Sequence, residues 1–295
     1  KELRYQTANS FRKNKEKINF SMSHLYQTIG ISKQAIHQYG SRQRVFDYRL
    51  QQMVAKAEDL RTAHPGCGVQ KMYDTLRPDF IGRDRFVETM MQLGFRLKRK
   101  KNYRRTTFSS KVYYPNLIKG MTVTSPCQVW QSDITYIPVN GHHCYAVFII
   151  DVYTKKIIGY QVSDHMRATA NVKALQMALK NNKAPEIHHS DRGSQYIYKD
   201  YLNILKELGC NISMSKTAQD NAYAERINRT IKEEYLGYWH FKNLKELRSS
   251  VKRAVENYNN RRPHNYIGKM SPIKFEEHWS KLEPTERPII SIFNN

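Results

Sequence analysis

Apolar positions along this chain change their period partway, and the change divides it in two. From Ser21 the segment SMSHLYQTIGISKQAIHQY has a capping Ser21, apolar Leu25 and Ile29, and a turn at Gly30. Ser32 then stands as a second cap, with Ile36 and Tyr39 on one face, and the whole predicts a helix-turn-helix. Val45, Leu50, Met53, Val54, Ala57 and Leu60 continue at helical spacing, predicting a connecting helix. Beyond Pro65 and Gly66 one stripe runs through Val69, Met72, Tyr73 and Leu76 and another through Phe86, Val87, Met90 and Leu93. Pro78 to Gly82 separate them, so a second small helical module of the same kind is expected.

From about Pro126 the period falls to two. Val129, Gln131 and Asp133 alternate with Trp130, Ser132 and Ile134, and β-rich runs follow from Cys144 to Val152 and from Lys156 to Val162 around a turn at Thr154 and Lys155. These predict a three-strand meander. A helix from Ala168 to Lys180, a strand from Glu186 to His189, a helix around Tyr198 to Leu208 and a strand from Asn211 to Met214 come next. Two helices, about Asn221 to Leu236 and Leu244 to Asn259, complete the pattern. Antiparallel strands followed by alternating helix and strand predict a mixed α/β core of the ribonuclease H type behind all-α helix-turn-helix modules. The expected divisions are a first module over 1–43, a connecting helix over 44–64, a second module over 65–95, a basic linker arm over 96–124, the ribonuclease H-like core over 125–280 and a C-terminal tail over 281–295.

Charge then says what such a chain would meet. Among 295 residues, 49 Lys and Arg stand against 26 acids, a formal net charge of +23, which is more than solubility requires and points to a polyanion. Residues 1–120 hold 25 of the bases and 9 of the acids, so the N-terminal part carries most of the excess. Lys98, Arg99, Lys100, Lys101, Arg104 and Arg105 form an acid-free run that reads as an arm lying along phosphates. In the first module Lys33, Gln34 and His37 are the candidate DNA contacts. The four cysteines lack a CxxC pair, which argues against a zinc site or a disulfide framework, and a reducing compartment is expected. No apolar run reaches membrane-spanning length, so the expected location is the cytoplasm, with no membrane partner. The first residue is Lys1 rather than Met, which leaves room for residues upstream.

Against this basic background the acids in apolar surroundings are informative. Asp133 sits within the alternating first strand, and Asp191 follows the strand EIHH directly, with Gly193 permitting a tight turn. Glu225 lies on a helix whose buried stripe is Ala224, Ile227 and Ile231; Asn221, Glu225, Arg229 and Lys232 share another face. Three clustered carboxylates repel one another unless a cation neutralises them, and Mg²⁺ suits such hard oxygen ligands. Two such ions would support in-line attack on a phosphodiester. For each acid a plainer role exists: an exposed strand position for Asp133, a turn former for Asp191, an intrahelical ion pair for Glu225. Asp151 is the alternative to Asp133. His189 is the further candidate for orienting water or phosphate, and a zinc reading of His142, His143 and Cys144 fails because adjacent strand residues face opposite ways.

The strings WQSDITYI, HSDRGSQY, SMS followed by DNAYAERINRTIKEE, and YNNRRPHNYIGKMSP resemble the transposases of the insertion sequence 3 family, whose catalytic core is similar to retroviral integrase. The likeness runs over about residues 125–275, with a looser match in the helical N-terminal half. It implies a triad of Asp133, Asp191 and Glu225 that is both catalytic and metal-binding, two Mg²⁺ ions for which Mn²⁺ can substitute, and DNA contacts from Arg229, Lys232, Arg261 and Arg262. It further implies binding of double-stranded DNA at terminal inverted repeats and at a target, strand cleavage followed by strand transfer, and at least a dimer on DNA. Between Asp191 and Glu225 there are 33 residues, two fewer than is usual in the family. A non-catalytic helix-turn-helix regulator and a ribonuclease H-type nuclease acting on hybrids stay open as rival readings of the same residues.

Overall fold

The computed structural model describes residues 2–13, 21–97 and 113–292. Lys98, Arg99, Lys100, Lys101, Arg104 and Arg105 of the expected arm lie outside the described residues.

The N-terminal half is helical throughout. Helices α1 (Glu2–Lys13) and α2 (Met22–Ile29) meet the start of a long α3 (Lys33–Ala63), where Tyr5 stacks on Tyr39 with ring centroids 4.1 Å apart. Gly30 takes the left-handed conformation that ends α2, and the Ser32 side chain accepts from the Ala35 amide to open α3. Ser21 occupies the cap position of α2 without a side-chain cap bond. Helix α2, the Gly30 turn and α3 thus succeed one another over the expected segment, and the expected connecting helix is continuous with α3 in one element of 31 residues. The division expected between residues 43 and 44 falls inside it, because only Gly40 interrupts the pattern and a helix absorbs one glycine at about 1 kcal/mol. The second module is α4 (Val69–Leu76) and α5 (Arg83–Gln92), which bury Val69, Met72, Phe86 and Met90 against Met53 and Ala57 of α3.

The C-terminal half is built on one five-stranded sheet. Strand β1 (Thr122–Val123) precedes it, and β2 (Val129–Val139), β3 (His142–Asp151) and β4 (Ile157–Ser163) form the antiparallel meander. After α6 (Ala168–Asn181), β5 (Ile187–Ser190) adds parallel to β2; α7 (Lys199–Glu207) then leads to β6 (Asn211–Met214), parallel to β5. The order is β4-β3-β2-β5-β6, the mixed layer expected from the period change. Helix α6 lies so close to β4 that a Cβ on Gly159 would stand 2.3 Å from the Ala174 carbonyl oxygen. Helices α8 (Ala222–Glu234) and α9 (Leu244–Arg261) cover the opposite face, packing Ala224, Ile227, Ile231, Val251 and Tyr258 onto Ile137, Phe148 and Ile150.

Two features of the C-terminal end differ from expectation. Helix α10 (Pro272–Trp279) follows, and β7 (Ile290–Ser291) pairs antiparallel with β1. Val123, Ile118, Phe275 and Ile292 share one buried cluster there. Ile290, Ser291 and Ile292 at the end of the expected tail are thus tied to the core, while residues 281–289 are half-buried or exposed. Among the described residues no helix is long and apolar enough to cross a membrane.

Candidate active site

Asp133 and Asp191 are neighbours by register. Ser132 of β2 pairs with Ser190 of β5 in the parallel ladder, and the two acids are the next residue on each chain. Asp191 begins a tight turn: its Oδ1 accepts from the Gly193 amide at 3.0 Å. A Cβ at Gly193 would stand 2.9 Å from that oxygen, so the turn needs the glycine.

Glu225 arrives on the first turn of α8, and three amide side chains fasten that turn to β2. Gln131 Oε1 accepts from the backbone amides of Tyr223 and Ala224 at 3.1 and 3.2 Å. Asn221 Nδ2 donates to the Ser132 carbonyl at 3.0 Å, and Asn228 Nδ2 donates to Asp133 Oδ2 at 2.8 Å. A capping box of Thr217 and Asp220 closes the turn before the helix. Asn221 shares the Glu225 face in the sequence pattern, whereas Gln131 and Asn228 are not among the candidate site residues read there. Asn228 carries a readable signal, three residues past Glu225 and hence beside it on the helix.

Asp133 feels the charge of both other carboxylates, and Glu225 feels that of Asp191. Burial first and then the charge of Asp191, with a smaller push from Glu225, raises Asp133 to about 7. Burial raises Asp191, against the pull of the Gly193 amide. Burial also raises Glu225, with Arg229 pulling it down and Asp191 pushing it up. Acids held this way are costly as three anions, and a divalent cation on oxygen donors removes that cost. The donor set therefore fits Mg²⁺ chemically. Among the described residues no three His, Cys, Asp or Glu side chains are gathered closely enough to hold a metal ion, so these acids are neighbours and not a closed ligand set.

The other candidates separate clearly. Asp151 is buried, its Oδ1 accepting from the Thr154 amide and hydroxyl and its Oδ2 from the Cys127 amide, so it builds the β3–β4 turn. His189 is buried with Nδ1 on the Ser213 hydroxyl at 2.8 Å. His142 and His143 are exposed at the start of β3. Lys33, Gln34 and His37 are exposed on the first turns of α3, and Arg229, Lys232 and Arg261 are exposed on α8 and α9. Arg262 must be corrected as a DNA contact. It is buried, and its guanidinium grips Glu234 with both Nε (2.7 Å) and Nη2 (2.8 Å). With Nε and Nη2 committed to a carboxylate and the residue only 6% exposed, the guanidinium presents little to a phosphate.

The integrase core domain family matches residues 123–219, and a second integrase core domain model matches residues 208–272. An uncharacterized 31 kDa protein of insertion element IS600 from Shigella sonnei is 33% identical over 87% of this chain and 98% of its own length. The transposase for insertion sequence element IS629 from Shigella sonnei is 32% identical over 72% of this chain and 75% of its own. Transposase InsF for insertion sequence IS3A from Escherichia coli is 36% identical over 52% of this chain and 55% of its own. Sheet order and family match together define a DDE-type polynucleotidyl transferase on a ribonuclease H-like core. The chain belongs to the insertion-sequence transposases of the insertion sequence 3 family.

Proposed function

We propose that the chain binds the terminal inverted repeats of an insertion sequence through its helix-turn-helix modules and cuts and rejoins DNA strands at Asp133, Asp191 and Glu225. The observation that carries this reading is the adjacency of Asp133 and Asp191 across the β2–β5 ladder, with Glu225 close enough to raise Asp133 further. All three would hold Mg²⁺, as two ions or with Mn²⁺ in their place. The bound ions would supply an activated water or 3′-hydroxyl and stabilise the leaving oxygen.

The chain's own residues do the rest. Gln131, Asn221 and Asn228 hold the Glu225 helix in register with the Asp133 strand. Arg229 and Lys232, exposed on the same helix, face the phosphates beside the scissile bond. Lys33, Gln34 and His37 at the exposed start of α3 read the repeat, and Arg261 touches backbone. The basic run from Lys98 to Arg105 lies along double-stranded DNA. Joining two ends needs at least a dimer on DNA, and the reaction belongs in the prokaryotic cytoplasm, at the nucleoid.

Strand joining with a pre-cut end tests this. Asp133→Asn, Asp191→Asn and Glu225→Gln should each abolish joining while end binding persists. Joining that survives Asp133→Asn rejects the triad, and fragments without joined product would instead indicate a hybrid nuclease.

A further inference from the structure

Gly66 sits in the turn between α3 and α4, and residues 64–67 of that turn are all buried. A buried connection needs partners for its backbone, and here they come from the far half of the chain. Gly66 donates its amide to the Glu234 carbonyl at 2.5 Å, and Asn257 Nδ2 donates to the Ala63 carbonyl at 2.7 Å. Ala63 ends α3 and Glu234 ends α8. The last carbonyl of each helix, orphaned within the helix itself, is thus satisfied from across the seam. Beside them His64 Nδ1 meets the Tyr235 hydroxyl at 2.8 Å, and Lys71 Nζ donates to Glu234 at 2.7 Å.

Among the described residues the apolar clusters stop at this seam. One holds residues 46–95 alone, and the other three hold residues 114–292. The two halves are therefore joined by hydrogen bonds and an ion pair, which are directional, and not by a shared apolar core, which tolerates sliding. The fit is close: a Cβ on Gly66 would stand 2.1 Å from the Glu234 Cα and 2.8 Å from its carbonyl carbon. Gly66 is not among the residues of positive φ, so the approach of the two backbones, and not the turn, asks for a glycine.

From these observations we propose that the seam at Gly66 and Glu234 locks the helical half to the core as one body and so sets the number of base pairs between the sequence that is read and the bond that is cut. The inference rests on the proposed function for what α3 reads and what the carboxylates cut. The two helices that meet at their C-terminal ends carry those groups at their starts. At about 1.5 Å per residue, Lys33 lies roughly 45 Å back along α3 and Glu225 roughly 13 Å back along α8. Over that length a tilt of about ten degrees at the seam moves the reading end by about 8 Å, more than two base-pair steps of roughly 3.4 Å. Gly66 and Glu234 are therefore positioning residues, acting through α3 and α8.

The test compares two glycines of one turn. Gly66→Ala drives a wedge into the seam. Gly68→Ser is its control, because a Cβ there meets nothing within 4 Å and Ser suits the cap position that Gly68 holds on α4. Hydrogen exchange of the full chain without DNA reads the docking. In Gly66→Ala the amides of residues 63–68 and 234–238 should exchange roughly tenfold faster or more while those of α5 and β3 stay as in the parent, and Gly68→Ser should match the parent throughout. Strand joining is then measured with pre-cut ends that have one to three base pairs added or removed between the footprinted sequence and the terminal nucleotide. The parent should join the natural spacing roughly tenfold better than a spacing changed by two, since small misplacements at the reacting atoms are costly. Gly66→Ala should flatten that preference to within about twofold at unchanged affinity for the end. Where Gly66→Ala does not fold, Lys71→Met with His64→Phe opens the same seam from its side chains and carries the same expectation. Parental exchange in the wedge variant, a spacing preference that stays sharp with the seam open, or a parent that joins all spacings equally would each overturn the proposal while leaving strand joining, and with it the proposed function, intact. A parent that joins at no spacing overturns the proposed function and this inference together.

Discussion

Asn228 donates from Nδ2 to Oδ2 of Asp133 at 2.8 Å, so the helix that carries one candidate ligand directly grips another on a different strand. The second oxygen of that carboxylate accepts from the Ile134 amide. Asp133 is thereby held with both oxygens engaged, and its orientation depends on a residue three positions past Glu225. Removing the grip with Asn228→Ala should leave end binding intact and raise the Mg²⁺ needed for half-maximal strand joining by about 10- to 100-fold, the usual cost of losing a group that orients a metal ligand. A Mg²⁺ titration of joining with a pre-cut end reads this directly, and an unchanged midpoint would show that Asn228 only packs.

Asp133 also predicts how metal-free stability responds to pH. Its folded value is pushed up to about 7 from an ordinary 3.8, by burial first and then by Asp191. The folded state thus holds the proton more tightly than the unfolded state. Its contribution to stability is whole below about pH 4, fades as pH rises through 7, and is a penalty of up to a few kcal/mol above that. Asp133→Asn removes the ionisation, and the neighbouring Asn228 Oδ1, which has no partner among the described residues, can accept from the new amide if the Asn228 side chain flips. In chelator at pH 8 the variant should melt several degrees above the parent, with the gap closing toward pH 4. Mg²⁺ should stabilise the parent at pH 8 more than the variant. Thermal melts across pH with and without metal decide it.

The placement of the candidate acids on their elements is legible in the sequence. Asp133 stood out because an acid interrupts an alternating apolar strand, and Asp191 because a strand ends on it beside Gly193. Both signals are local, and so is the stripe that placed Glu225 on the outside of α8. What was not legible depends on partners far along the chain. Arg262 looked like any exposed base in a basic motif; that it is buried follows from Glu234, 28 residues earlier, folding back to meet it. The pairing of β1 with β7 joins two-residue strands at opposite ends of the core, too short for any period to show. Likewise Gln131 reads as a polar strand position, and only α8 docking on it reveals that it accepts from two backbone amides.

Arg262 and its neighbour Arg261 stand in opposite surroundings, one buried and one exposed. Arg262→Ala leaves Glu234 with Lys71 alone in a half-buried site, and losing the buried half of that clamp costs roughly 2 to 3 kcal/mol, below the full penalty for an unpaired buried charge. The variant should melt many degrees lower, and the loss should be insensitive to DNA. Arg261 is exposed, so Arg261→Ala should leave the melt within about a degree and weaken DNA binding instead. A melting curve and a binding isotherm for each variant check both halves, and an Arg262→Ala protein of parental stability would contradict the buried clamp.

Salt gives the broadest test of the electrostatic argument, because it does not depend on which residue touches which phosphate. Each phosphate neutralised by Lys or Arg releases condensed counterions, so log affinity falls linearly with log salt at about 0.9 per contact on a duplex. A chain of net charge +23 with its excess in the N-terminal half should engage at least ~6 to 10 phosphates. Affinity for a nonspecific duplex should then drop roughly 10³- to 10⁵-fold between 50 and 200 mM salt. Replacing Lys98, Arg99, Lys100 and Lys101 by Ala should flatten the slope by about 3 to 4 if those four lie along the backbone. An unchanged slope in that variant would move the contacts to the exposed bases of α3, α8 and α9, where the same titration on Lys33, Arg229 and Arg261 would find them.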